Sequence, residues 1–279
     1  MDAEFSKRIY MEKILDLKKL TADVCRIARE AGAFLKSERL NFRREMAQEK
    51  HAHDYVSYVD KESERRLVMA LRDLLPEAGF ITEEGSAEYH DEPYCWVVDP
   101  LDGTTNYIHD NAPYCVSIAL RNKQSLLSGV VYDPCRDECF YAWQGGGAYV
   151  NGQPMRVSAV ERVEDSFLVV ELPYNSDSYA RTGEHLIHEL YGKVGGIRMN
   201  GSAALAICYV AAGRFDGWLE AFIGKWDFSA AALMVQEAGG RVTDFYGNEN
   251  FLEGHHVVAT NGYLHPLLLE LVTQVSPKM

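Results

Sequence analysis

The sequence predicts a mixed α+β / α/β fold, and two patterns carry this prediction. Short apolar runs separated by polar or Gly-rich turns fill residues 80–150, which is typical of an antiparallel meander. After that, strand-like and helix-like segments alternate, which favours an α/β arrangement. We therefore divide the chain into an N-terminal α+β part, 1–150, and a C-terminal α/β part, 151–279, with the turn signal Asn151-Gly152 between them.

The N-terminal part is predicted to begin with helices. Apolar residues recur at helical spacing over 11–36, which indicates a long amphipathic helix. Residues 41–53 are polar without periodicity and indicate a mobile loop, followed by a short strand over 55–59. Asp60 is then expected to cap a helix over 60–75, because Asp satisfies the free amides of a first turn. The strands of the meander are predicted at 115–120, 126–132, 139–143 and 148–150.

The C-terminal part alternates between the two element types. Apolar runs rich in β-branched and aromatic residues predict its strands, and apolar residues at helical spacing predict its helices. The strands are expected at 167–171, 215–220 and 257–259. The helices are expected at 185–191, 202–212, 227–237 and 265–275.

Composition narrows the class of protein. The 279 residues are 47% hydrophobic and 25% charged, as in globular proteins that bury a sizeable core. No apolar run is long enough to span a bilayer, and no secretory signal is visible, so we expect a cytoplasmic protein without membrane contacts. Its six cysteines are expected to be free thiols. The net charge of −13 argues against a broad nucleic-acid surface but not against a phosphorylated substrate.

The segment 96–106 concentrates the chemistry-bearing residues. An apolar strand leads into Asp99, and Asp102 follows three residues later, so a tight turn brings both carboxylates to one side. Gly103 and the hydroxyls of Thr104 and Thr105 come next. Mg²⁺ prefers carboxylate oxygens together with substrate phosphate, and phosphate prefers free backbone amides. The pattern therefore predicts a cation site fused to an oxyanion site.

Three ordered motifs resemble one known family. The segment 99–106 is similar to the Asp-Pro-Ile/Leu-Asp-Gly-Thr-Thr-Asn signature of the inositol monophosphatase family. Segments 81–84 and 226–231 resemble two further signatures of that family, in the same order, and 237–240 continues the last of them. The resemblance covers nearly the whole chain and is strongest to the bacterial-type enzymes. It implies a layered α-β-α-β-α sandwich.

The resemblance also implies a set of Mg²⁺ ligands, with one residue bridging two cations. Asp99 would be the bridge, while Asp102 and the carbonyl of Leu101 would each serve one cation. Glu83, at a predicted strand end, and Asp227 complete the set. From the residues alone, Asp99 is also consistent with a solvated turn, Glu83 with a charged loop and Asp227 with a helix N-cap.

The catalytic residues implied by the family are Asp60, Thr104 and the metal ligand Glu83. A threonine hydroxyl between a carboxylate and a water can relay a proton and direct the nucleophile, which is the role expected of the pair Asp60 and Thr104. Lys50 occupies a place comparable to a family lysine near the metals, although a solvated lysine is an alternative. The role of Lys225, beside the third motif, stays open.

Substrate contacts follow from two further segments. Residues 198–204 resemble a family segment that lines the substrate hydroxyls. Glu220 lies seven residues before Asp227, as does the family's hydroxyl-binding acid, although it is also consistent with an ordinary charge at a strand end. The expected substrate contacts are Asp102, Gly103, Thr104, Thr105, Gly201, Ser202, Ala203 and Glu220.

These expectations combine into an Mg²⁺-dependent, lithium-sensitive phosphomonoesterase that hydrolyses inositol monophosphate or a similar sugar or cyclitol phosphate with an activated water. The alternatives share the site but differ in substrate: fructose-bisphosphate, histidinol phosphate or a 3′-phosphonucleotide. A transcription- or ribosome-associated binding role on the same fold is a further alternative. The expected partners are a small phosphorylated substrate and a second copy of the chain, with no nucleic acid.

Overall fold

The computed structural model describes residues 15–51, 54–172 and 177–274, and the structural statements below refer to these residues. Its α-helices are Leu17–Arg39 (α1), Tyr58–Leu74 (α2), Thr104–Ile108 (α3), Asp177–Leu190 (α4), Ala203–Ala211 (α5), Lys225–Glu237 (α6) and His265–Thr273 (α7). Its strands are Gln48–His51 (β1), Asp54–Val56 (β2), Ala78–Thr82 (β3), Tyr94–Asp102 (β4), Cys115–Arg121 (β5), Leu126–Asp133 (β6), Glu138–Trp143 (β7), Gly147–Val150 (β8), Gln153–Pro154 (β9), Phe167–Val170 (β10), Gly196–Arg198 (β11), Gly217–Ala221 (β12), Arg241–Thr243 (β13) and His256–Thr260 (β14).

Seven strands form the larger sheet, in the order β3-β4-β5-β6-β7-β8-β9. From β4 onward all neighbours are antiparallel, which confirms the predicted meander, whereas β3 pairs with β4 in parallel. Because β3 and β4 are parallel, their carboxyl ends meet at the same edge of the sheet. The segments that follow Thr82 and Val98 are therefore brought side by side.

Five strands form the second sheet, in the order β11-β10-β12-β14-β13. Strand β10 is parallel to both of its neighbours, while β14 is antiparallel to β12 and β13. The sheet is thus mixed. Two of its strands, β11 and β13, were not predicted, because each has only three residues and shows no hydrophobic alternation.

The elements stack in five layers. Helices α1 and α2 pack on one face of the larger sheet, and α5 and α6 lie between the two sheets in a core that draws on both halves of the chain. Helices α4 and α7 cover the outer face of the smaller sheet. Every residue of α5 is buried, as expected for a helix that is apolar on all sides. This arrangement confirms the predicted α-β-α-β-α sandwich.

Several predicted boundaries need correction. Helix α1 begins at Leu17 and is capped by Asp16, and the predicted helical residues 11–14 lie outside the described residues. The loop expected over 41–53 is wrong for Gln48–His51, which pairs with β2 as a short hairpin. No helix in the described part of the chain combines the length and the apolar character that crossing a membrane requires.

Candidate active site

Strand β4 does not end at the tight turn predicted after Asp99 but continues through it to Asp102. Pairing of β4 with β5 is interrupted after Asp99 and resumes where Asp102 faces Cys115. The Asp99 Oδ1 atom accepts a hydrogen bond from the Leu101 amide at 2.9 Å, which tightens this irregular turn. Gly103 follows with φ of +90°, and a Cβ there would lie 3.0 Å from a backbone oxygen of Pro113. Only glycine accommodates both constraints without strain.

Three aspartates converge at this turn. Carboxylate oxygens of Asp99, Asp102 and Asp227 all lie within 4.8 Å of one another. Burial raises the pKa of Asp99 well above its usual value, and the neighbouring carboxylates of Glu83, Asp102 and Asp227 raise it further. Buried like charges at this distance repel strongly unless a cation compensates them. The cluster therefore has the donor set and the electrostatic demand of a divalent-cation site.

Glu83 joins the cluster from the end of β3. Its Oε2 atom is buried and has no hydrogen-bond partner, whereas Oε1 lies 3.5 Å from the Lys50 ammonium. Burial raises the pKa of Glu83 well above its usual value; Lys50 opposes this, and Asp227 adds to it. A buried carboxylate oxygen without a partner is costly, and oxygen is the ligand atom that Mg²⁺ prefers. Glu83 thus fits the predicted role of metal ligand.

Asp227 is the third helical residue of α6, so the alternative interpretation of Asp227 as the N-cap is wrong. Gly224 is the N-cap, and its amide donates to Asp227 Oδ2 at 2.9 Å. The Ser117 hydroxyl, which sits opposite Asp99 on β5, donates to the Trp226 carbonyl at 3.1 Å. This bond ties the start of α6 to the strand beside Asp99, and so it fixes Asp227 relative to Asp99.

Asp102 is held by the second half of the chain. Its Oδ2 atom accepts hydrogen bonds from the Ser202 hydroxyl at 2.5 Å and from the Ala204 amide at 2.9 Å. Ser202 is also the N-cap of α5. Because these bonds go to Oδ2, the Oδ1 atom is left for a cation. Ser202, predicted to contact substrate, donates a hydrogen bond from its hydroxyl to Asp102, and a substrate contact stays a prediction.

The predicted catalytic pair is assembled. The Thr104 hydroxyl lies 3.1 Å from Asp60 Oδ1 and 2.9 Å from the Leu101 carbonyl, so it can donate to either oxygen. The prediction that Asp60 is the N-cap of α2 is wrong: Ser57 is the N-cap, and Asp60 is the third residue of the helix. The Asp60 Oδ2 atom accepts hydrogen bonds from the amide and the hydroxyl of Ser57. Burial raises the pKa of Asp60, and the hydrogen bonds from Ser57 oppose the shift.

Lys50 lies at the edge of the cluster. Its ammonium bonds the carboxylate of Glu84 and approaches Glu83, and its side chain is only 24% exposed. The alternative of a solvated lysine is therefore wrong. Lys225 instead pairs with Glu253 at 2.6 Å, at the start of α6.

Two glutamates that hold segments of the site through hydrogen bonds from backbone amides were not predicted. Glu64, fully buried in α2, accepts hydrogen bonds from the amides of Glu84 and Ser86 at 2.7 and 2.8 Å, and so holds the turn that follows Glu83. Glu171 holds the segment before α5 in a similar way, as described below. No local motif predicts the role of either residue, because the amides that they bind lie 20 to 30 residues away in the chain.

Glu220 lies in β12, beside the aspartates. Burial raises the pKa of Glu220 well above its usual value, and the carboxylates of Glu171, Asp227 and Asp102 raise it further. Glu220 is only half-buried, and among the described residues it makes no hydrogen bond or ion pair. A ligand that donates hydrogen bonds would satisfy this carboxylate.

The remaining predicted substrate residues are not all gathered at the cluster. Gly201 precedes α5 with φ of +70°, and Ala203 is the first, buried residue of that helix. Thr105 is exposed and lines a cavity of about 210 Å³ together with Arg44 and His109. None of the carboxylates described above lines this cavity. Gly201 lies against Gly103, because a Cβ added to Gly103 would be 3.1 Å from the Gly201 carbonyl oxygen.

The chain is similar to several known proteins. A curated relative from Pseudomonas aeruginosa, named Nus factor SuhB, is 43% identical over 258 residues, which cover 88% of this chain and 93% of the relative. A relative from Mesorhizobium japonicum, named inositol-1-monophosphatase, is 37% identical over 220 residues, covering 78% and 83% of the two chains. The solved inositol monophosphatase from Anabaena (Nostoc) has a TM-score of 0.83 and 33% identity, covering 94% of this chain and 98% of that one.

The model of the inositol monophosphatase family matches residues 16–276, which is nearly the whole described part of the chain. On this match, the chain belongs to the inositol monophosphatase family.

Proposed function

We propose that the protein is an Mg²⁺-dependent phosphomonoesterase that hydrolyses inositol monophosphate or a similar sugar or cyclitol phosphate. The observation that carries the proposal is the placement of the unpaired Glu220 beside the cluster of Asp99, Asp102 and Asp227. The cluster suits the cations that a phosphate needs, and Glu220 suits hydroxyl groups, because a carboxylate accepts their hydrogen bonds. A polyol phosphate carries both kinds of group.

The chain holds the groups that such a reaction requires. Bound Mg²⁺ would be held by Glu83 and the three aspartates, and it would polarise the phosphate and make a water more acidic. The Thr104 hydroxyl can accept a hydrogen bond from the attacking water while it donates to Asp60. Because burial raises the pKa of Asp60, its carboxylate is a stronger base than a solvated one, and it can take up the proton.

Glu220 favours substrates with hydroxyl groups near the phosphate. Fructose-bisphosphate, histidinol phosphate and 3′-phosphonucleotides would use the same cation cluster and the same pair Asp60 and Thr104, so these residues do not distinguish among them. Inositol monophosphate carries a hydroxyl on every ring carbon except the phosphorylated one, and the relative from Mesorhizobium japonicum carries the name inositol-1-monophosphatase. Both points support inositol monophosphate as the first substrate to test.

A phosphate-release screen tests the proposal. The purified protein is incubated with inositol, sugar, histidinol and nucleotide phosphates, with saturating Mg²⁺ or with EDTA. We expect release that requires Mg²⁺ and is fastest with a polyhydroxylated substrate. Release that is equal in EDTA would refute the metal-dependent mechanism, and preference for a nucleotide would refute the substrate class.

The name of the Pseudomonas relative supports a second candidate, a binding role in transcription on the same fold. The two roles can be separated with the variant Asp99→Asn, which we expect to be inactive but folded. Capture of RNA polymerase by both the wild type and this variant would support the binding role. Capture by neither protein would leave the phosphatase as the only supported function.

A further inference from the structure

The segment Asn200-Gly201, directly before α5, is held from two sides. Glu171, which follows β10, accepts hydrogen bonds at its Oε1 atom from the amides of Asn200 and Gly201, at 2.6 and 3.0 Å. From the opposite side, the Asn106 Nδ2 group lies 3.1 Å from the Asn200 carbonyl and 3.4 Å from that of Gly201. The amides of the segment thus face Glu171, and its carbonyls face Asn106.

This segment leads directly to the residues that hold Asp102. Ser202 and Ala204 follow it and donate to Asp102 Oδ2 at 2.5 and 2.9 Å. A shift of Asn200 and Gly201 would therefore move both donors. The segment has little room to shift toward Asn106, because Gly201 already packs closely against it. A Cβ added to Gly201 would lie only 2.9 Å from Asn106 Nδ2.

Glu171 also lies beside the hydroxyl-binding candidate. Its own amide donates to the Leu219 carbonyl at 3.2 Å, next to Glu220 on the neighbouring parallel strand. The charge of Glu171 is the first among those acting on Glu220. Glu171 is thus connected to the cation cluster through Ser202 and to the substrate side through β12.

We propose that Glu171 is a positioning residue: by holding the amides of Asn200 and Gly201 it fixes Ser202 and Asp102 in the geometry that binds the cation. The proposal rests on the function proposed above. Groups that orient metal ligands in this way typically contribute about 10- to 100-fold to metal affinity. Glu171 would act through the backbone and would not touch the cation.

A second glutamate offers a matched control. Glu237, at the end of α6, accepts hydrogen bonds from the amides of Gly145 and Gly147 at 2.7 and 2.8 Å, an arrangement like that of Glu171. It lies ten residues after Asp227 on the same helix, or about 15 Å along the axis. Replacing it removes two comparable bonds without reaching the site.

The experiment measures Mg²⁺ binding by titration calorimetry on the full chain without substrate. We expect Glu171→Ala to weaken binding by at least about tenfold and Glu237→Ala to leave it within about twofold. Glu171→Gln should bind within about threefold of wild type, because both amide bonds go to one oxygen and the Gln amide oxygen can accept both. Glu171→Asp keeps the charge but is one methylene shorter, so it should resemble Glu171→Ala.

Two results would overturn the proposal. Unchanged Mg²⁺ binding in Glu171→Ala or Glu171→Asp would show that the hydrogen bonds from Asn200 and Gly201 to Glu171 do not affect cation binding. Equal losses in Glu171→Gln and Glu171→Asp would show that both the charge and the reach of Glu171 are needed, as for direct contact. If Glu171→Ala does not fold, the Gln and Asp variants decide between these outcomes. Wild-type protein that binds Mg²⁺ but releases no phosphate would refute the proposed function while this test still stands.

Discussion

Replacing Glu220 by Gln is expected to weaken substrate recognition and to stabilise the metal-free protein at the same time. Burial and the facing carboxylates of Glu171, Asp227 and Asp102 disfavour the charge of Glu220, and no described residue pairs with it. Gln keeps the size and removes the repulsion, so the melting temperature in EDTA should rise. Residues that bind ligands are often destabilising in this way.

The effect on catalysis follows from the loss of a charged acceptor. A hydrogen bond to a carboxylate contributes about 1–2 kcal/mol more than its neutral counterpart. That difference corresponds to about 5- to 30-fold in kcat/KM for inositol monophosphate. A minimal ester such as glycerol phosphate offers fewer hydroxyls to Glu220, so Glu220→Gln should cleave it within about threefold of wild type.

The assay compares kcat/KM of both proteins on both substrates, with melting curves in EDTA. Glu138→Gln is a control in which the melting temperature should change in the opposite direction. Arg214 pairs with Glu138 and lowers its pKa, so this variant should have a slightly lower melting temperature and full activity. An equal loss of Glu220→Gln on both substrates would place Glu220 in the metal site or the fold. No loss on either would return it to an ordinary charge at a strand end.

Three further outcomes are expected. Li⁺ and Ca²⁺ should each inhibit phosphate release when titrated at fixed Mg²⁺. Ca²⁺ accepts a looser ligand geometry than Mg²⁺, so it would not align the attacking water. Full activity with Ca²⁺ alone would contradict this prediction. His265 lies between Thr243 and Thr260, and burial lowers its pKa from 6.5 to about 4. As the pH falls, the unfolded state therefore binds a proton before the folded state does. The free energy of unfolding should then decrease between about pH 6.5 and about pH 4. Urea unfolding should show a loss of about 2 kcal/mol between pH 7 and pH 5 that His265→Gln lacks, and equal losses in both proteins would refute the assignment. Light scattering at micromolar concentration should give a homodimer, as the family resemblance implies, and a monomer would refute it.

The parts of the site that could be predicted are those written in contiguous sequence. Asp99 and Asp102 lie on one strand and Thr104 begins the helix after it, so their spacing alone brings them together. The apolar helices α5 and α6 were also predictable, since burial on all sides leaves a strong pattern. The N-cap prediction for Asp60 was wrong by three residues, because a capping box places one polar residue at the cap and another at the third helical position.

The parts that could not be predicted depend on contacts between distant segments. Glu64 and Glu171 act by accepting backbone amide bonds, and a backbone amide leaves no signature in the sequence. Short edge strands such as β1, β11 and β13 gain their pairing from a neighbour and not from their own pattern. The division of the chain at residue 150 stays a prediction, although strand β9 of the larger sheet lies beyond it, at Gln153–Pro154.

The measurement that tests the central claim most directly is phosphate release by Asp99→Asn at saturating Mg²⁺, together with its melting curve. The Asn oxygen can still accept the Leu101 amide bond, and the loss of one negative charge relieves the repulsion with Asp102 and Asp227, so the variant should fold at least as stably as wild type. Asn would offer a bound Mg²⁺ one neutral oxygen in place of a charged carboxylate, so we expect turnover to be abolished. A folded variant with activity within about tenfold of wild type would contradict the metal-dependent account.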